Sequence, residues 1–320
     1  MAVDVLKYLR EKEYISGEVL ARKLGISRVA VWKQIQKLKD MGYAIITDQN
    51  LGYCLVSRPD LLIPPEVQRE LSTSYIGKKI FYFPELESTN IIAKEKVLHR
   101  SEVIDEGTII ITEKQSAGKG RLGRKWFSPA GGIWLSIILF PQLPPSYIPR
   151  ITLMTAVAIV KAIKIRTQIK SQIKWPNDIL IQGEKVCGIL TEMSAELDII
   201  NWIVVGVGIN VNIDNQEFPE DIREKTTSLK EVLDREVPRV RLVQVFLQEF
   251  ERYYEKLKRK EFPSILEEWK LYSCTIGREI RINIGERIIS GKAVDISEEG
   301  ALILKKENGE LIEIISGTII

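Results

Sequence analysis

The chain has 320 residues, 45% of them hydrophobic and 28% charged, a balance that fills several buried cores and excludes a disordered tail or a fibre. Its 46 basic and 43 acidic side chains leave a formal charge of +3. That excess is too small for a general polyanion binder, so any nucleic-acid or phosphate site must be local. Cys54, Cys187 and Cys274 are far apart, and the single histidine, His99 before Arg100, has no histidine partner. Together these argue against a disulfide framework, a zinc finger, a Ser-His-Asp hydrolase and a histidine-ligated metal enzyme.

Residues 1–9 carry Asp4 and Lys7 and lack the apolar stretch of a signal peptide. Val5, Leu6 and Leu9 form a first apolar stripe. Ser16 is expected to cap a helix holding Val19, Leu20 and Leu24, closed by Gly25, and Ser27 to cap another that buries Val31, Ile35 and Leu38 and stops near Gly42. The tight turn between them is a helix-turn-helix signature. Residues 44–47 and 53–56 then read as strands around Asp48-Gln49-Asn50-Leu51-Gly52, a hairpin standing where a winged helix-turn-helix carries its wing. Arg28, Trp32, Gln36 and Lys39 lie opposite the apolar face of the second helix, with Lys33 and Lys37 beside them. Such a helix suits a DNA major groove, with lysines on phosphates. Ser27, Arg28, Trp32, Lys33 and, on the hairpin, Asn50 are the candidate DNA contacts. A solvated basic helix with Trp32 packed on a neighbouring domain is the alternative, and the hairpin favours DNA. Arg58-Pro59-Asp60 and Pro64-Pro65 mark a boundary.

From residue 66 to about 270, strand-like runs (80–83, 108–112, 133–140, 173–174, 179–182, 189–193 and 202–212) alternate with helical spacing at 90–99, 151–167, 240–258 and 265–272. One sheet with flanking helices is expected. The apolar stretch 151–165 is broken by Thr152, Thr155, Lys161 and Lys164 and falls short of the roughly 20 apolar residues that span a bilayer. It reads as a buried helix, and the protein as soluble and cytoplasmic, with no membrane partner. After Gly277 come short strands at 279–284, 288–296, 301–305 and 310–315, separated by Gly285-Glu286, residues 297–300 and Asn308-Gly309. This meander suits a small barrel of SH3 type.

Three clusters in the middle segment could carry chemistry. Gly118, Gly120 and Gly123 match GxGxxG after a strand, but Trp126-Phe127-Ser128-Pro129 replaces the helix, no ribose-binding acid stands about 20 residues on, and the P-loop Lys-Ser/Thr is missing. What remains is a flexible loop in which Lys114, Lys119, Arg121, Arg124 and Lys125 oppose only Glu113. Such a loop can close over a phosphate or acyl-phosphate; a disordered basic loop or nucleic-acid patch would look the same. Next, Pro176 breaks a strand so that Asn177 and Asp178 project from its end, and a short hairpin brings Lys174, Asp178 and Lys185 together. Two lysines and a carboxylate suit activation of a carboxylic acid by ATP, with Asp178 helping to hold Mg²⁺; surface ion pairing would also explain them. Last, Gly206 and Gly208 interrupt an apolar strand ahead of Asn210, which implies close backbone approach by a ligand or another segment, or else a bulge.

Ser88-Thr89-Asn90, the 115–126 loop with Phe127-Ser128-Pro129, the 174–178 run, residues 185–190 and residues 206–210 occur in one order. In that order they resemble the bifunctional biotin–protein ligase and biotin-operon repressor family, and the resemblance covers all three segments. It implies an α+β multidomain protein: a winged helix-turn-helix (residues 1–64), a central domain related to class II aminoacyl-tRNA synthetases (65–270) and an SH3-like C-terminal β-barrel (271–320). Family members condense biotin with ATP to biotinyl-5′-AMP, then pass the biotinyl group to a lysine of a biotin carboxyl carrier protein domain. The resemblance assigns biotin to Ser88, Thr89, Asn90, Gln115, Lys119, Gly120, Arg121, Lys185, Gly188 and Gly206. It assigns the nucleotide to Arg121, Arg124, Trp126, Asn177, Asp178 and Asn210, catalysis to Lys185, Arg121 and Lys174, and Mg²⁺ to Asp178. It further implies an adenylate-favoured homodimer on operator DNA. The family loop usually carries arginine where Lys119 stands, which keeps the charge and loses the planar fork. A non-catalytic metabolite-sensing regulator and a lipoate–protein ligase are the rival readings.

Overall fold

Two serine caps set the N-terminal helices of the computed structural model, which describes residues 2–9, 11–99, 103–196, 199–285 and 287–320. Met1, Arg100, Glu286 and the His99 side chain, which entered the sequence reading, lie outside the described residues. Ser16 Oγ accepts from the Val19 N–H at 3.2 Å ahead of α1 (Gly17–Leu24), and Ser27 Oγ from the Ala30 N–H at 3.1 Å ahead of α2 (Arg28–Asp40). Each oxygen satisfies a donor that a helix start leaves without an intrahelical partner. Gly25 closes α1 in the left-handed region at φ +65, and Val31, Ile35 and Leu38 of α2 are fully buried. The first apolar stripe forms a 3-10 helix, Ala2–Lys7.

The hairpin expected after α2 is β2 (Ala44–Asp48) with β3 (Gly52–Ser57), and a two-residue strand, β1 (Tyr14–Ile15), adds to it in the order β1-β3-β2. In the wing turn Asp48 Oδ1 accepts the N–H groups of Leu51 and Asn50 at 2.8 Å each, which holds its carboxyl below the usual range. Near the end of this unit (residues 1–66) Glu66 is buried, and both Tyr43 Oη and Arg58 Nη1 donate to it at 2.6 and 2.7 Å. Helix α3 (Pro64–Gln68) carries the chain into the second compact unit, residues 67–320.

That unit is built on seven strands: β4 (Ile80–Leu86), β5 (Ile109–Gln115), β6 (Ile133–Leu139), β7 (Gln172–Lys174), β8 (Asp178–Ile181), β9 (Glu184–Glu196) and β10 (Ile199–Ile209). Their order is β4-β5-β6-β10-β9-β8-β7. Only β4 and β5 pair in parallel, because α4 (Thr89–His99) crosses over between them. Side chains alternate along a strand, so β10 sends Ile203, Val205 and Val207 to one face and Trp202, Val204, Gly206 and Gly208 to the other. Trp202 and Val204 pack with Ala93 of α4, Ile110 and Ile138. Thr191 of β9 bonds Thr152 of α5 (Ile148–Thr167) at 2.9 Å on the opposite face. The stretch expected to be a buried helix is α5, and it is buried nearly all round. Among the described residues no helix is long and apolar enough to cross a membrane. The short helices α6 (Glu220–Arg223) and α7 (Leu229–Leu233) precede α8 (Arg239–Lys258), which packs on α5, and α9 (Phe262–Tyr272).

The C-terminal meander is a five-stranded sheet: β11 (Glu279–Ile284), β12 (Arg287–Ile296), β13 (Leu302–Lys305), β14 (Leu311–Ile314) and β15 (Thr318–Ile319), ordered β14-β13-β12-β11-β15. It belongs to the same compact unit as the large sheet. The join is specific, since Cys274 N–H donates to Ile173 O at 3.0 Å and Trp175 N–H to Thr275 Oγ1 at 3.0 Å. The sequence pattern stopped at 315 and missed β15, which pairs with β11 through Ile319 and Thr318.

Candidate active site

A cavity of about 300 Å³ opens on the α4 side of the large sheet, where the 115–128 segment, β8, β9, β10 and the last residues of the C-terminal sheet converge. All the residues nominated from sequence for biotin, nucleotide and catalysis line it.

Its floor is a polar row at the start of α4. Thr89 N–H donates to Gln115 Oε1 at 2.8 Å, and Gln115 Nε2 donates to Ser128 Oγ at 2.8 Å. Ser136 Oγ donates to Asn90 Oδ1 at 2.6 Å and stands 2.7 Å from Thr89 Oγ1. Ser88, Thr89, Asn90 and Ser136 are buried. Sequence reasoning missed Ser136 and Ser128. The available signal for Ser136 was a lone hydroxyl inside the otherwise apolar run 133–139, because a buried hydroxyl needs a partner.

The glycines explain how these groups reach the sheet. A Cβ on Gly206 would stand 2.1 Å from Asn90 Oδ1, and one on Gly208 2.3 Å from Trp126 Nε1. Gly188, opposite Gly208 in the β9–β10 ladder, leaves room for the same indole at 3.1 Å. The close approach expected at Gly206 and Gly208 is therefore made by two side chains of this chain.

The segment expected to be a flexible loop is a folded hairpin. Gln115 bridges Ser128, Lys119 bridges Lys125, Trp126 N–H donates to Gly118 O at 2.8 Å, and Arg121–Gly123 forms a 3-10 turn. Lys119, Gly120, Arg121, Arg124 and Lys125 reach the cavity, whereas Lys114 points away and pairs with Glu85 at 3.4 Å. Arg121 Nη1 donates to Asn177 Oδ1 at 2.9 Å and its Nη2 to Ser316 Oγ at 2.8 Å. Burial pulls the Arg121 guanidinium below its usual range, against the pull of Asp178 and with that of Arg124.

Lys185 Nζ lies 2.6 Å from Asp178 Oδ1 and 5.0 Å from the centre of the Trp126 ring. The β8–β9 ladder pairs Lys185 with Leu180, two residues on from Asp178, across a register shift. Lys174, paired with Asp178 across β7–β8, donates instead to Ile319 O at 3.3 Å. Asn177 is fixed by its Nδ2 on Ile189 O at 2.9 Å. Asn210 is buried, its Nδ2 donates to Thr227 O at 3.0 Å, and its Oδ1 has no hydrogen-bond partner. Burial raises the Cys187 thiol far above its usual range, Lys185 opposing and Asp178 adding to the shift, which removes it as a nucleophile.

Asp178 meets a lysine and no second carboxylate, and among the described residues no group of three or more His, Cys, Asp or Glu side chains could hold a metal. Among the described residues there is thus no resident metal site, and the Mg²⁺ expected at Asp178 is one that would arrive with ATP.

Ser27, Arg28, Trp32, Lys33 and Asn50 lie in the N-terminal unit. Trp32 is 51% exposed, and Lys39 Nζ ties α2 to the wing through Thr47 Oγ1 at 3.2 Å. Ser27 Oγ is engaged as the helix cap.

A helix-turn-helix unit and, in the second unit, a cavity of converging cations over a buried polar row define an enzyme-like site for an anionic substrate in a chain that also carries a DNA-binding module. Three family models match: a helix-turn-helix domain at residues 3–54, the biotin/lipoate A/B protein ligase family at 82–210 and the biotin protein ligase C-terminal domain at 275–320. The bifunctional ligase/repressor BirA of Bacillus subtilis is 38% identical over 298 residues, spanning 93% of this chain and 91% of that protein. The protein of that name from Escherichia coli is 30% identical over 309 residues, spanning 95% and 92%. The solved biotin protein ligase from Aquifex aeolicus in complex with biotin and ATP superposes with a TM-score of 0.66 at 30% identity, covering 76% of this chain and 98% of that one. The chain belongs to the biotin–protein ligase family, in the form that carries an N-terminal helix-turn-helix domain.

Gly206→Ala forces Asn90 off the strand, and overpacking of this kind costs about 1–3 kcal/mol. A lowered midpoint in denaturant unfolding is expected, and a midpoint equal to that of the parent protein would show that Asn90 moves freely.

Proposed function

We propose that the protein activates biotin with ATP to biotinyl-5′-AMP, transfers the biotinyl group to a lysine of a biotin carboxyl carrier protein domain, and represses transcription in response to biotin. The observation that carries this reading is the convergence of Lys185, Arg121 and the Thr89–Gln115 row on one cavity. A biotin carboxylate oxygen attacks the α-phosphorus of ATP, a new P–O bond forms, and pyrophosphate leaves with the electrons of the broken bond. Lys185, aimed by Asp178, orients that oxygen and offsets the charge growing at phosphorus. Arg121 and Lys174 serve the phosphates, with Arg124 beside them. Trp126 walls the adenylate, and the unpartnered Asn210 Oδ1 is a buried acceptor suited to an exocyclic amine. Ser88, Thr89, Asn90 and Gln115 supply donors and acceptors for a ureido ring, which a dithiolane ring could not use; this favours biotin over lipoate. In the second step the neutral carrier amine attacks the acyl carbon, AMP leaves, and the amine proton passes to solvent. We assign magnesium to the triphosphate, as part of the substrate.

For the architecture we infer domain limits of 1–64, 65–270 and 271–320, a class II aminoacyl-tRNA synthetase-like central domain and an SH3-like C-terminal barrel. The match of the C-terminal family model supports a role for residues 275–320 with the carrier. Operator DNA would be read by α2 and the wing of a homodimer, favoured when the adenylate is bound. Three free cysteines among the described residues suit a reducing, cytoplasmic setting.

Incubation with biotin, ATP and a carrier domain tests the ligase reading, and the absence of carrier labelling rejects it. Lys185→Ala should slow pyrophosphate release at saturating substrates by about 100-fold or more, with a smaller change in the KM for biotin. Lys119→Arg should leave biotin affinity within a few-fold in calorimetry, and a much larger tightening would show that the guanidinium fork matters. Arg28→Ala should weaken operator binding by about tenfold while carrier labelling continues; equal loss on operator and random DNA would reassign it to phosphate contact.

A further inference from the structure

The outward face of α2 carries an apolar residue among its cations. Val31, Ile35 and Leu38 are fully buried, and at 3.6 residues per turn the direction opposite them belongs to Val29, Lys33 and Gln36. Val29 is 63% exposed, and Trp32, three residues on, is 51% exposed. Residues at that spacing are neighbours on a helix surface, so an isopropyl group and an indole form one apolar spot at the start of α2. Arg28 and Lys33, both exposed, border it, and no acidic side chain stands in the first turn.

The fold of the N-terminal unit gains little from this spot. Valine is a poor helix former, because its branched Cβ restricts χ1, and an exposed valine gains no burial in return. The helix has its cap in Ser27 Oγ, which accepts from the Ala30 N–H, so Val29 is not needed to start it. A single exposed apolar side chain is ordinary. Two contiguous ones bordered by cations, on the helix that follows a tight turn, mark a contact surface.

Position decides what that surface meets. The second helix of a helix-turn-helix enters the major groove with its N-terminal residues against base edges. Those edges present donors, acceptors and one apolar group, the 5-methyl of thymine. An isopropyl group offers no hydrogen bond, so against a guanine, cytosine or adenine edge it would take water from polar atoms and return nothing.

Resting on the operator reading above, we infer that Val29 is a specificity-determining residue that receives a thymine 5-methyl group in the operator major groove, with Trp32 closing the apolar contact beside it. The neighbouring cations favour any duplex, whereas Val29 adds preference for one base.

The test uses the full-length protein with biotin and ATP. A duplex is selected from a randomised pool, and each thymine in it is replaced in turn by deoxyuridine, which lacks only the methyl group. Dissociation constants are compared at one fixed salt concentration. For the parent, loss of the methyl at one or two thymine positions should weaken binding by about fourfold, the scale of one buried methyl. In Val29→Ser the same replacements should change Kd by less than about 1.5-fold, because the two partners of a contact are coupled. Val29→Thr, which keeps one methyl, should retain part of the effect. Affinity for a scrambled duplex should stay within about twofold of the parent in both variants, a readout that loss of the fold or of phosphate contacts would move. Val29→Gln replaces the serine variant if that fails to fold. A full methyl effect that persists in Val29→Ser overturns the inference, as does a parent indifferent to every deoxyuridine replacement. A parent that binds selected and scrambled duplexes equally overturns the operator reading instead.

Discussion

The site depends on a stretch of strand with no side chains. Gly206 and Gly208 face the cavity from β10, where any Cβ would come within 2.1 Å of Asn90 and 2.3 Å of Trp126. Glycine weakens an isolated strand, because it packs nothing and loses more chain freedom on folding. Here β10 is held in antiparallel register on both sides, by β6 across Gly206–Ser136 and by β9 across Gly208–Gly188. The ladder offsets the weakness locally, and the bare backbone lets a helix start and a hairpin meet over one sheet. Without it the row and the indole would stand a side chain's depth apart.

The charges follow a related rule. Six cations border the cavity, Lys119, Lys125, Lys174, Lys185, Arg121 and Arg124, and three of them are oriented by neutral acceptors. Lys185 has the single carboxylate, Asp178. Arg121 is held by an amide oxygen and a hydroxyl, Arg124 Nη2 reaches Thr318 Oγ1 at 3.5 Å, and Lys174 reaches a backbone carbonyl. Neutral acceptors orient a cation without cancelling it, which suits a site that must receive a polyanion. Several of these acceptors belong to Ser316, Thr318 and Ile319, so the C-terminal sheet is part of the electrostatics of the cavity.

Local chemistry made much of this legible. The caps Ser16 and Ser27, the Asn308-Gly309 turn and the alternation of strands and helices are short-range signals, and the structure carries each. The glycines of β10 announced a close approach, though not by what. The unforeseen parts were long-range. Ser136 is 46 residues from Asn90 in sequence, and Ser316 is 195 from Arg121; no periodicity links such pairs. Strand β15 has two residues and exists through its pairing with β11. Lys114 looked equivalent to the other loop cations until the alternation of β5 turned it toward Glu85.

Two of the buried, unpartnered polar atoms at the cavity make a last physical point. Trp126 Nε1 and Asn210 Oδ1 are buried and have no hydrogen-bond partner, a condition that costs about 1–3 kcal/mol apiece in a protein interior. Folding alone would select against both, as a phenylalanine or a leucine at these positions would bury area without the penalty. Their neighbours are already saturated in other directions: the Asn210 amide nitrogen is spent on Thr227 O, and the Trp126 backbone N–H on Gly118 O. Because both residues line the cavity, a ligand with matching groups would relieve this cost, a relief not open to Ser171 Oγ and Trp269 Nε1, which are buried without a hydrogen-bond partner away from it.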